Sequence, residues 1–324
     1  MKKAFVIILT IGLLLPLSVQ AGTDGSGGQA GNFRELKLGG RASALGGAFT
    51  AMAEGGMGFL YNSAGSAQSR KHYASFSYRA LKLDRRIGFA SFTMPAKEQA
   101  SLSLFWLHAG TSPLESRDRQ GFIIDGEDIS YSENMFGINF SKKFANTLLI
   151  GAKVFYAQNN IANINAYTAG VDFGALSRID LRRTFLRPVF PLLRFGATVE
   201  NLGANYKWTT TKYWNTVGRS QGATFEESFP IKYRLGLALE QPNRYVLAAD
   251  FEVSSRSIVK THLGGEYSLN KALALRAGLD DSHPTFGAGL FKLMGDFAMK
   301  IDIAYLMDKA GEGDDVLISF DIVF

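Results

Sequence analysis

Val316-Leu-Ile-Ser-Phe-Asp-Ile-Val-Phe324 is the stretch that decides the fold class of this chain. Every second residue from Val316 to Phe324 is Val, Ile or Phe, whereas Ser319 and Asp321 lie at intervening positions. Successive side chains of a β-strand point to opposite faces, so this order predicts a strand with one apolar face and one partly polar face.

The same alternation recurs along the chain after residue 71. Tyr233, Leu235 and Leu237, for example, alternate with Lys232 and Arg234. Most of the alternating segments have about ten residues, the length that a tilted strand needs to cross a bilayer. We mark fourteen segments, at 72–80, 86–95, 99–109, 132–142, 147–158, 164–175, 192–201, 231–240, 244–253, 259–268, 272–280, 284–292, 296–305 and 316–324. They predict an all-β fold, a transmembrane antiparallel β-barrel of about 14 strands.

The amino terminus predicts a signal peptide over residues 1–21. Lys2 and Lys3 precede an apolar run, and small residues surround Ala21. Export and a barrel together predict the outer membrane of a Gram-negative-type bacterium. The formal net charge of +6 is too modest to indicate a nucleic-acid partner. Basic residues between the segments instead predict contacts with outer-membrane lipid and lipopolysaccharide.

The connections distinguish a membrane barrel from a soluble sandwich. If the carboxy terminus faces the periplasm, five of the connections on that side are short, whereas the two longest polar loops, 110–131 and 202–230, lie outside. Bacterial barrels show this asymmetry. Residues 176–191 disagree, since they are long and fall on the short-turn side. We expect a short amphipathic helix there, or a strand count wrong by two.

Aromatic residues recur near the segment ends, where an interfacial girdle places them. The girdle candidates are Phe229, Tyr233, Tyr245, Phe251, Tyr267 and Tyr305.

Residues 22–71 do not alternate and form a flexible leader followed by a plug, and residues 72–324 form the barrel. Gly22 to Gly31 is rich in Gly, and we expect it not to pack. Small residues dominate Leu38 to Gly65, called the hatch below, and they allow one backbone to approach another closely. The hatch therefore fits a confined space such as a lumen.

Two motifs resemble a known family. The run from Gly40-Arg41-Ala42 to Ala53, and then Tyr61-Asn62-Ser63-Ala64-Gly65, resembles the amino-terminal signature of the PorV/PorQ family, within the wider FadL-like group of outer-membrane barrels. Ser63 stands where that family has Pro. The resemblance extends from about residue 36 to residue 324 and implies a fourteen-strand barrel with its hatch in the lumen. Phe324 resembles the terminal Phe that the barrel assembly machinery reads. The hatch and gating residues are Arg41, Gly46, Gly47, Phe49, Asn62, Ser63, Ala64 and Gly65.

Charged residues at alternate positions predict a polar lumen wall. If their apolar neighbours face lipid, these side chains face inward, where buried charges need partners. They tie the hatch to the wall or line a route for a ligand. The predicted lumen charges are Arg194, Glu200, Arg234, Asp250, Glu266 and Arg276.

The sequence offers no convincing catalytic, metal or cofactor site. Asp280-Asp281-Ser282-His283 holds hydrolase residue types, but a polar hairpin before Pro284 explains them without chemistry. The chain has no Cys ligands and no phosphate-binding Gly-Lys-Ser/Thr element. We therefore predict a protein that is not an enzyme and needs no cofactor.

Three functional hypotheses remain. The first is a barrel that captures or passes small hydrophobic compounds, with the hatch controlling the lumen. The alternative is a type IX secretion component that binds or shuttles secreted proteins through loops 110–131 and 202–230. An outer-membrane hydrolase is the second, weaker alternative. The candidate partners are thus a hydrophobic ligand or secretion partners.

Overall fold

The computed structural model of the chain describes residues 28–112, 114–115, 117–118, 120–123, 129–161, 164–211, 222–307 and 313–324. The predicted signal peptide, residues 1–21, lies outside these residues. Within the described ranges, no helix combines the length and the apolar character needed to cross a membrane.

Fourteen strands form a closed antiparallel ring, which confirms the predicted fold class and strand count. The last strand closes the ring against the first, with Phe320 opposite Phe76. A hairpin of two further strands, β8 and β9, extends the sheet beyond the ring. The strands are β1 (Tyr73–Ala80), β2 (Arg85–Ala96), β3 (Ala100–Thr111), β4 (Tyr131–Lys143), β5 (Leu148–Ile161), β6 (Ile164–Asp180), β7 (Leu192–Leu202), β8 (Asn205–Thr209), β9 (Thr224–Ser228), β10 (Lys232–Gln241), β11 (Tyr245–Ser254), β12 (Val259–Ser268), β13 (Leu273–Asp280), β14 (His283–Met294), β15 (Phe297–Leu306) and β16 (Asp315–Val323).

The wall is apolar outside and polar inside. On β10, Leu235 and Leu237 are about half exposed, whereas Lys232 and Arg234 are buried within the barrel. A soluble protein would hide such a row of large apolar side chains from water. Closed barrels satisfy every backbone polar group in lipid, so this is a transmembrane barrel, and its architecture places it in the outer membrane.

The two ends of the barrel differ. Short turns join the strands at the end where β1 begins and β16 ends, called the short-turn end below. The opposite, long-loop end carries the connections from Thr111 to Tyr131 and from Leu202 to Lys232. In bacterial barrels the short turns face the periplasm.

Residues 176–191 contain neither the expected helix nor an extra pair of strands. β6 continues to Asp180, because its last residues pair with β7. The connection from Leu181 to Pro191 is a series of turns, closed by a hydrogen bond from the Leu181 N–H to the Pro191 carbonyl (2.8 Å). The strand count was therefore right, and the prediction of a helix was wrong. β6 stays paired with β7 up to Asp180, beyond the point at which its pairing with β5 ends at Ser177.

The long connection after β7 contains structure that sequence alternation did not reveal. β8 pairs with the long-loop end of β6, and β9 pairs with β8. Phe229, one of the predicted girdle residues, is buried in the lumen beside Tyr206 (ring centroids 4.9 Å apart). Its assignment to the girdle was wrong, since it precedes the β10 ladder.

The hatch lies inside the barrel. It comprises a short helix, α1 (Gly40–Ala44), and 3-10 turns at Gly58–Leu60 and Gly65–Gln68. Residues 28–37, called the pre-hatch segment below, extend from it into the long-loop half of the lumen. There Gly31 lies against Phe229, and Ala30 is buried. The expectation of an unpacked leader was therefore wrong at Ala30 and Gly31, where the lumen offers an apolar surface, and residues 22–27 lie outside the described residues.

Candidate functional site

The hatch backbone lies directly against glycines of the barrel wall. At three places, two inward-facing glycines on neighbouring strands lie opposite each other, and a stretch of hatch crosses them. A β-carbon at Gly264 would lie 2.6 Å from the Leu45 carbonyl oxygen, and one at Gly196 would clash with the Thr50 backbone. The three pairs are Gly151 with Gly174, Gly196 with Gly236, and Gly264 with Gly278. Only a residue without a side chain permits this approach.

The turn at Gly46 and Gly47 requires glycine for a second reason. Both residues have positive φ angles, 67° and 84°, which residues with a β-carbon rarely adopt. The turn presents the Gly46 carbonyl to the wall, where Nδ1 of the fully buried His262 donates to it (3.0 Å). The predicted gating glycines thus form a contact between hatch and wall.

Arg41 and Glu54 insert the hatch into a chain of ion pairs. Arg41 binds Glu266 through two nitrogens (2.7 and 2.9 Å) and Glu54 through a third (2.7 Å). Glu54 also accepts from Arg194 (2.9 Å), and Arg276 donates to Glu266 (2.6 Å). Charge-assisted, bidentate pairs of this kind are the stronger ionic contacts in proteins. The ion pairs therefore link Arg41 and Glu54 of the hatch to Glu266 and Arg194 of the wall.

Asp250 holds the hatch through its backbone. One carboxylate oxygen of Asp250 accepts from the N–H groups of Phe49 (3.0 Å) and Thr50 (2.8 Å). The Phe49 N–H also donates to the Gly47 carbonyl (2.8 Å), whereas the buried Thr50 N–H would lose its only described partner if the contact with Asp250 broke. Phe49 itself packs edge-on against Tyr61, with ring centroids 5.5 Å apart.

Asn62 joins two parts of the hatch to the wall. Its amide nitrogen donates to the carbonyls of Thr50 (3.0 Å) and Ala175 (2.9 Å), and its oxygen accepts from the Ala64 N–H (3.0 Å). Next to it, the Ser63 carbonyl accepts from the wall residue Asn139 (3.1 Å). Gly65 lies so close to Ala53 that a β-carbon would meet it at 2.9 Å. The motif from Asn62 to Gly65 therefore joins hatch to wall.

The pre-hatch segment is fastened by charges that the sequence reading missed. Arg34 pairs with Asp172 (2.6 Å), which also binds Lys153 (2.9 Å). Glu35 pairs with Lys232 (2.7 Å) and Lys260 (3.4 Å). Two features of the sequence could have indicated these contacts: the charged residues Arg34 and Glu35 follow a leader of small residues, and Lys153 lies at an inward-facing strand position. The pairing itself could not be predicted, because the partners are far apart in the sequence.

The six predicted lumen charges all lie on the inner face, and most contact the hatch or one another. Arg194 binds Glu240 (2.6 Å), Glu200 lies 3.6 Å from Lys232, and Arg234 pairs with Glu252.

The hydrolase candidate is not assembled, because Asp280 faces His262 (2.9 Å) whereas His283 contacts the Asp281 backbone. Among the described residues, no group of His, Asp and Glu side chains has the geometry of a metal site.

Free space in the lumen divides around the hatch. A cavity of about 190 Å³ lies between the hatch and β12–β16, and a wider one of about 570 Å³ opens at the short-turn end. On the long-loop side, the described residues enclose a cavity of about 50 Å³ beside Leu36 and Phe105. Phe33 lies in this half, within an apolar cluster that includes Phe155. One side of the long-loop half is thus apolar and packed by Phe33, whereas the other side carries the ion pairs of Arg34 and Glu35.

The acidic groups of hatch and pre-hatch segment predict how the lumen responds to pH. Burial opposes the charged form of Glu35, yet attraction from Lys232 and Lys260 holds its pKa at about 2. Burial likewise opposes ionisation of Glu54, but Arg194 and Arg41 lower its pKa far below the usual value. A carboxyl with a lowered pKa stabilises the folded state above its unfolded pKa of about 4.3 and loses that contribution as pH falls through the folded pKa.

We therefore expect the ion pairs of Glu35 and Glu54 to persist from about pH 8 to pH 5, and the conductance of the reconstituted barrel to rise steeply as pH falls from about 4 towards 2. Planar-bilayer recordings across this range check the expectation. A conductance that stays at its neutral value down to pH 2 would contradict it, because both carboxyls then lose their charge without an effect on the hatch.

Solved structures share this architecture. The Pseudomonas putida toluene transporter TodX superimposes with a TM-score of 0.57 and 14% identity over 89% of this chain and 97% of TodX. A Pseudomonas aeruginosa FadL homologue gives 0.60 and 10% over 89% and 98% of the two chains, and the monoaromatic hydrocarbon channel CymD gives 0.54 and 12% over 88% and 96%. No family model and no curated protein matches the sequence. At these identities the likeness concerns the fold, and the chain has the fold of the FadL-like barrels.

Proposed function

We propose that this barrel passes small hydrophobic compounds across the outer membrane, and that the hatch and the pre-hatch segment close its lumen. The observation that carries the proposal is the apolar lining that β2, β3 and β4 give to one side of the long-loop half. Phe89, Phe105, Leu107 and Met135 face inward there, and Phe33 packs into the same cluster. A channel for polar solutes would have no use for such a lining, since apolar surface does not replace the water that these solutes lose.

The closed lumen must open for passage. Phe33 occupies the space that an apolar ligand of similar size would fill, and the hatch blocks the way beyond it. Arg34, Arg41 and Glu54 form ion pairs with residues of the barrel wall. Opening of the lumen breaks these pairs, and the separated charges must then be hydrated. Breaking a buried pair without replacement is costly, so we expect the hatch to shift towards the short-turn end, where a cavity of about 570 Å³ offers space for hydrated charges.

The named structural relatives support the proposal. TodX is described as a toluene transporter and CymD as a monoaromatic hydrocarbon channel. Neither description is that of an enzyme, in agreement with a non-enzymatic role for this chain. Membership of the PorV/PorQ family, which the hatch motifs suggest, is part of the proposal and awaits its own test.

A secretion role is the second candidate, and one observation favours it. The hatch is fastened by ion pairs to the wall, and the cavity beside it that the described residues enclose on the long-loop side has only about 50 Å³. The β8–β9 hairpin extends the sheet at that rim, where it could meet a secreted protein. In this case the lumen would stay closed throughout the functional cycle.

A reversible lock on the hatch tests the proposed function. The chain has no Cys, so Gly56→Cys with Ser75→Cys creates a single pair. A β-carbon at Gly56 would lie 3.2 Å from that of Ser75 and 2.8 Å from that of Tyr73, so the hatch must move by a few tenths of an ångström to reach the separation of about 3.5–4.5 Å that a disulfide needs. We expect uptake of labelled toluene by cells expressing the oxidised variant to fall about fivefold, since oxidation of an engineered pair is rarely complete. Reduction should restore uptake.

The two single-Cys variants serve as controls, because each carries one substitution without the cross-link. Equal toluene uptake by the oxidised and reduced double variant would refute hatch gating. Absence of uptake of any hydrophobic solute by the native barrel, above cells without it, would refute passage itself and favour the secretion role.

A further inference from the structure

The connection between β6 and β7, Leu181–Pro191, contains an exposed aromatic side chain among exposed arginines. Phe185 is 89% exposed, the highest value among the large hydrophobic side chains that the structure describes. Arg182, Arg183 and Arg187 surround it in sequence and are exposed as well. Neither passage of a hydrophobic compound nor closure of the lumen uses this loop.

The loop is fixed on the outer flank of the barrel. The Tyr245 hydroxyl donates to the Val189 carbonyl (2.9 Å), and Phe190 packs edge-on against the Tyr245 ring at 5.5 Å. Tyr245 faces outward, because it pairs with Tyr267, whose side chain is half exposed on the lipid side. The loop therefore leans towards the membrane and away from the lumen.

Charge on this side is predominantly positive. Arg182 pairs with Asp180 (3.2 Å), whereas Arg183 and Arg187 form no ion pair with any side chain that the structure describes. Exposed basic residues continue along the same rim at Arg244 and Lys271. Guanidinium groups bind phosphate through paired hydrogen bonds, and aromatic side chains favour the boundary between headgroups and acyl chains.

We infer that Leu181–Pro191 is a binding site for anionic phospholipid of the leaflet at the short-turn end. Arg182, Arg183 and Arg187 contact the phosphate groups, and Phe185 enters the acyl boundary beside them. The inference is independent of what passes through the lumen. The outward lean of the loop favours a lipid over a soluble acidic protein, which would meet a loop that points along the barrel axis.

Lipid binding to the purified full-length barrel in detergent tests the site. Native mass spectrometry counts bound phosphatidylglycerol and, in parallel, zwitterionic phosphatidylcholine. Each basic residue near an anionic surface contributes roughly 1 kcal/mol, so Arg182→Gln, Arg183→Gln and Arg187→Gln together should weaken phosphatidylglycerol binding about 100-fold. Phosphatidylcholine binding should not change. Phe185→Ser should weaken binding of phosphatidylglycerol while leaving any binding of inorganic phosphate as it was, because it removes only the apolar contact.

A matched variant at the other end controls for net charge. Lys82→Gln, Arg86→Gln and Arg256→Gln remove three exposed basic residues at the long-loop end, and phosphatidylglycerol binding should stay near the native level. Heat-modifiable gel migration verifies that every variant folds. Native-like phosphatidylglycerol binding by the triple loop variant would overturn the inference. Equal weakening by both triple variants would also overturn it, since net charge alone would then explain the binding.

Discussion

Replacing Gly264 with Val is expected to displace the hatch and open the lumen. The new β-carbon would lie 2.6 Å from the Leu45 carbonyl oxygen and 2.8 Å from the Leu45 β-carbon. Both atoms belong to the hatch, which is held by non-covalent contacts, whereas the wall strand is fixed by its ladder. Overpacking of this kind costs about 2 kcal/mol, which raises the population of the displaced hatch about 30-fold. Conductance in planar bilayers should rise accordingly.

Gly265→Val provides the matched control. Gly265 is the next residue on the same strand but faces lipid, and the nearest atom to its β-carbon would be Leu247 Cδ2 at 3.7 Å. Both changes replace Gly with Val in one strand, so they share any effect on strand formation. Native-like conductance of Gly264→Val, or equal conductance of the two variants, would show that the glycine does not position the hatch.

Asp250→Ala is expected to release the hatch for proteolysis. The substitution removes the carboxylate that accepts from the Phe49 and Thr50 N–H groups, and it leaves Thr50 without a described partner, whereas the Phe49 N–H keeps the Gly47 carbonyl. The loss of two buried, charge-assisted hydrogen bonds costs about 3 kcal/mol, which corresponds to an increase of about 150-fold in the open population. Limited trypsin digestion of the folded barrel in detergent should then cleave after Arg41 far faster than in the native protein.

Asp321→Ala is the control for loss of an inward-facing carboxylate. Asp321 accepts a hydrogen bond from Ser75, so its contact lies between two wall strands. Cleavage after Arg41 should remain slow in this variant. Rapid cleavage in both variants would attribute the effect to general loosening of the barrel, and slow cleavage in both would show that the Asp250 clamp contributes little.

The strands could be predicted because their signal is local. Alternation in Leu235–Leu237 or Phe320–Phe324 follows from the two faces of a strand, one of which meets lipid. The same parity placed Asp250 and Arg276 inside the barrel. Phe229 was wrongly assigned to the girdle because it precedes β10, which begins at Lys232. Outside a strand, alternation does not indicate whether a side chain faces the lipid or the lumen.

The contacts of the hatch could not be predicted in this way. Asp250 and Thr50 are 200 residues apart in the chain, and nothing near either residue identifies the other. The pre-hatch segment begins with the composition of a flexible leader, and it packs because the finished barrel surrounds Ala30 and Phe33 with apolar side chains and supplies ion-pair partners for Arg34 and Glu35.

The sequence alone determined that this chain forms a fourteen-strand barrel, which faces of its strands meet lipid, and which end carries the short turns, because each of these follows from patterns within a few residues. The tertiary structure alone decided which groups meet in the lumen. Gly264 and Gly265 are adjacent and identical in sequence, yet one lies against the hatch and the other faces lipid. Register and closure of the barrel separate them, since these bring residues far apart in the chain to the same height on the wall.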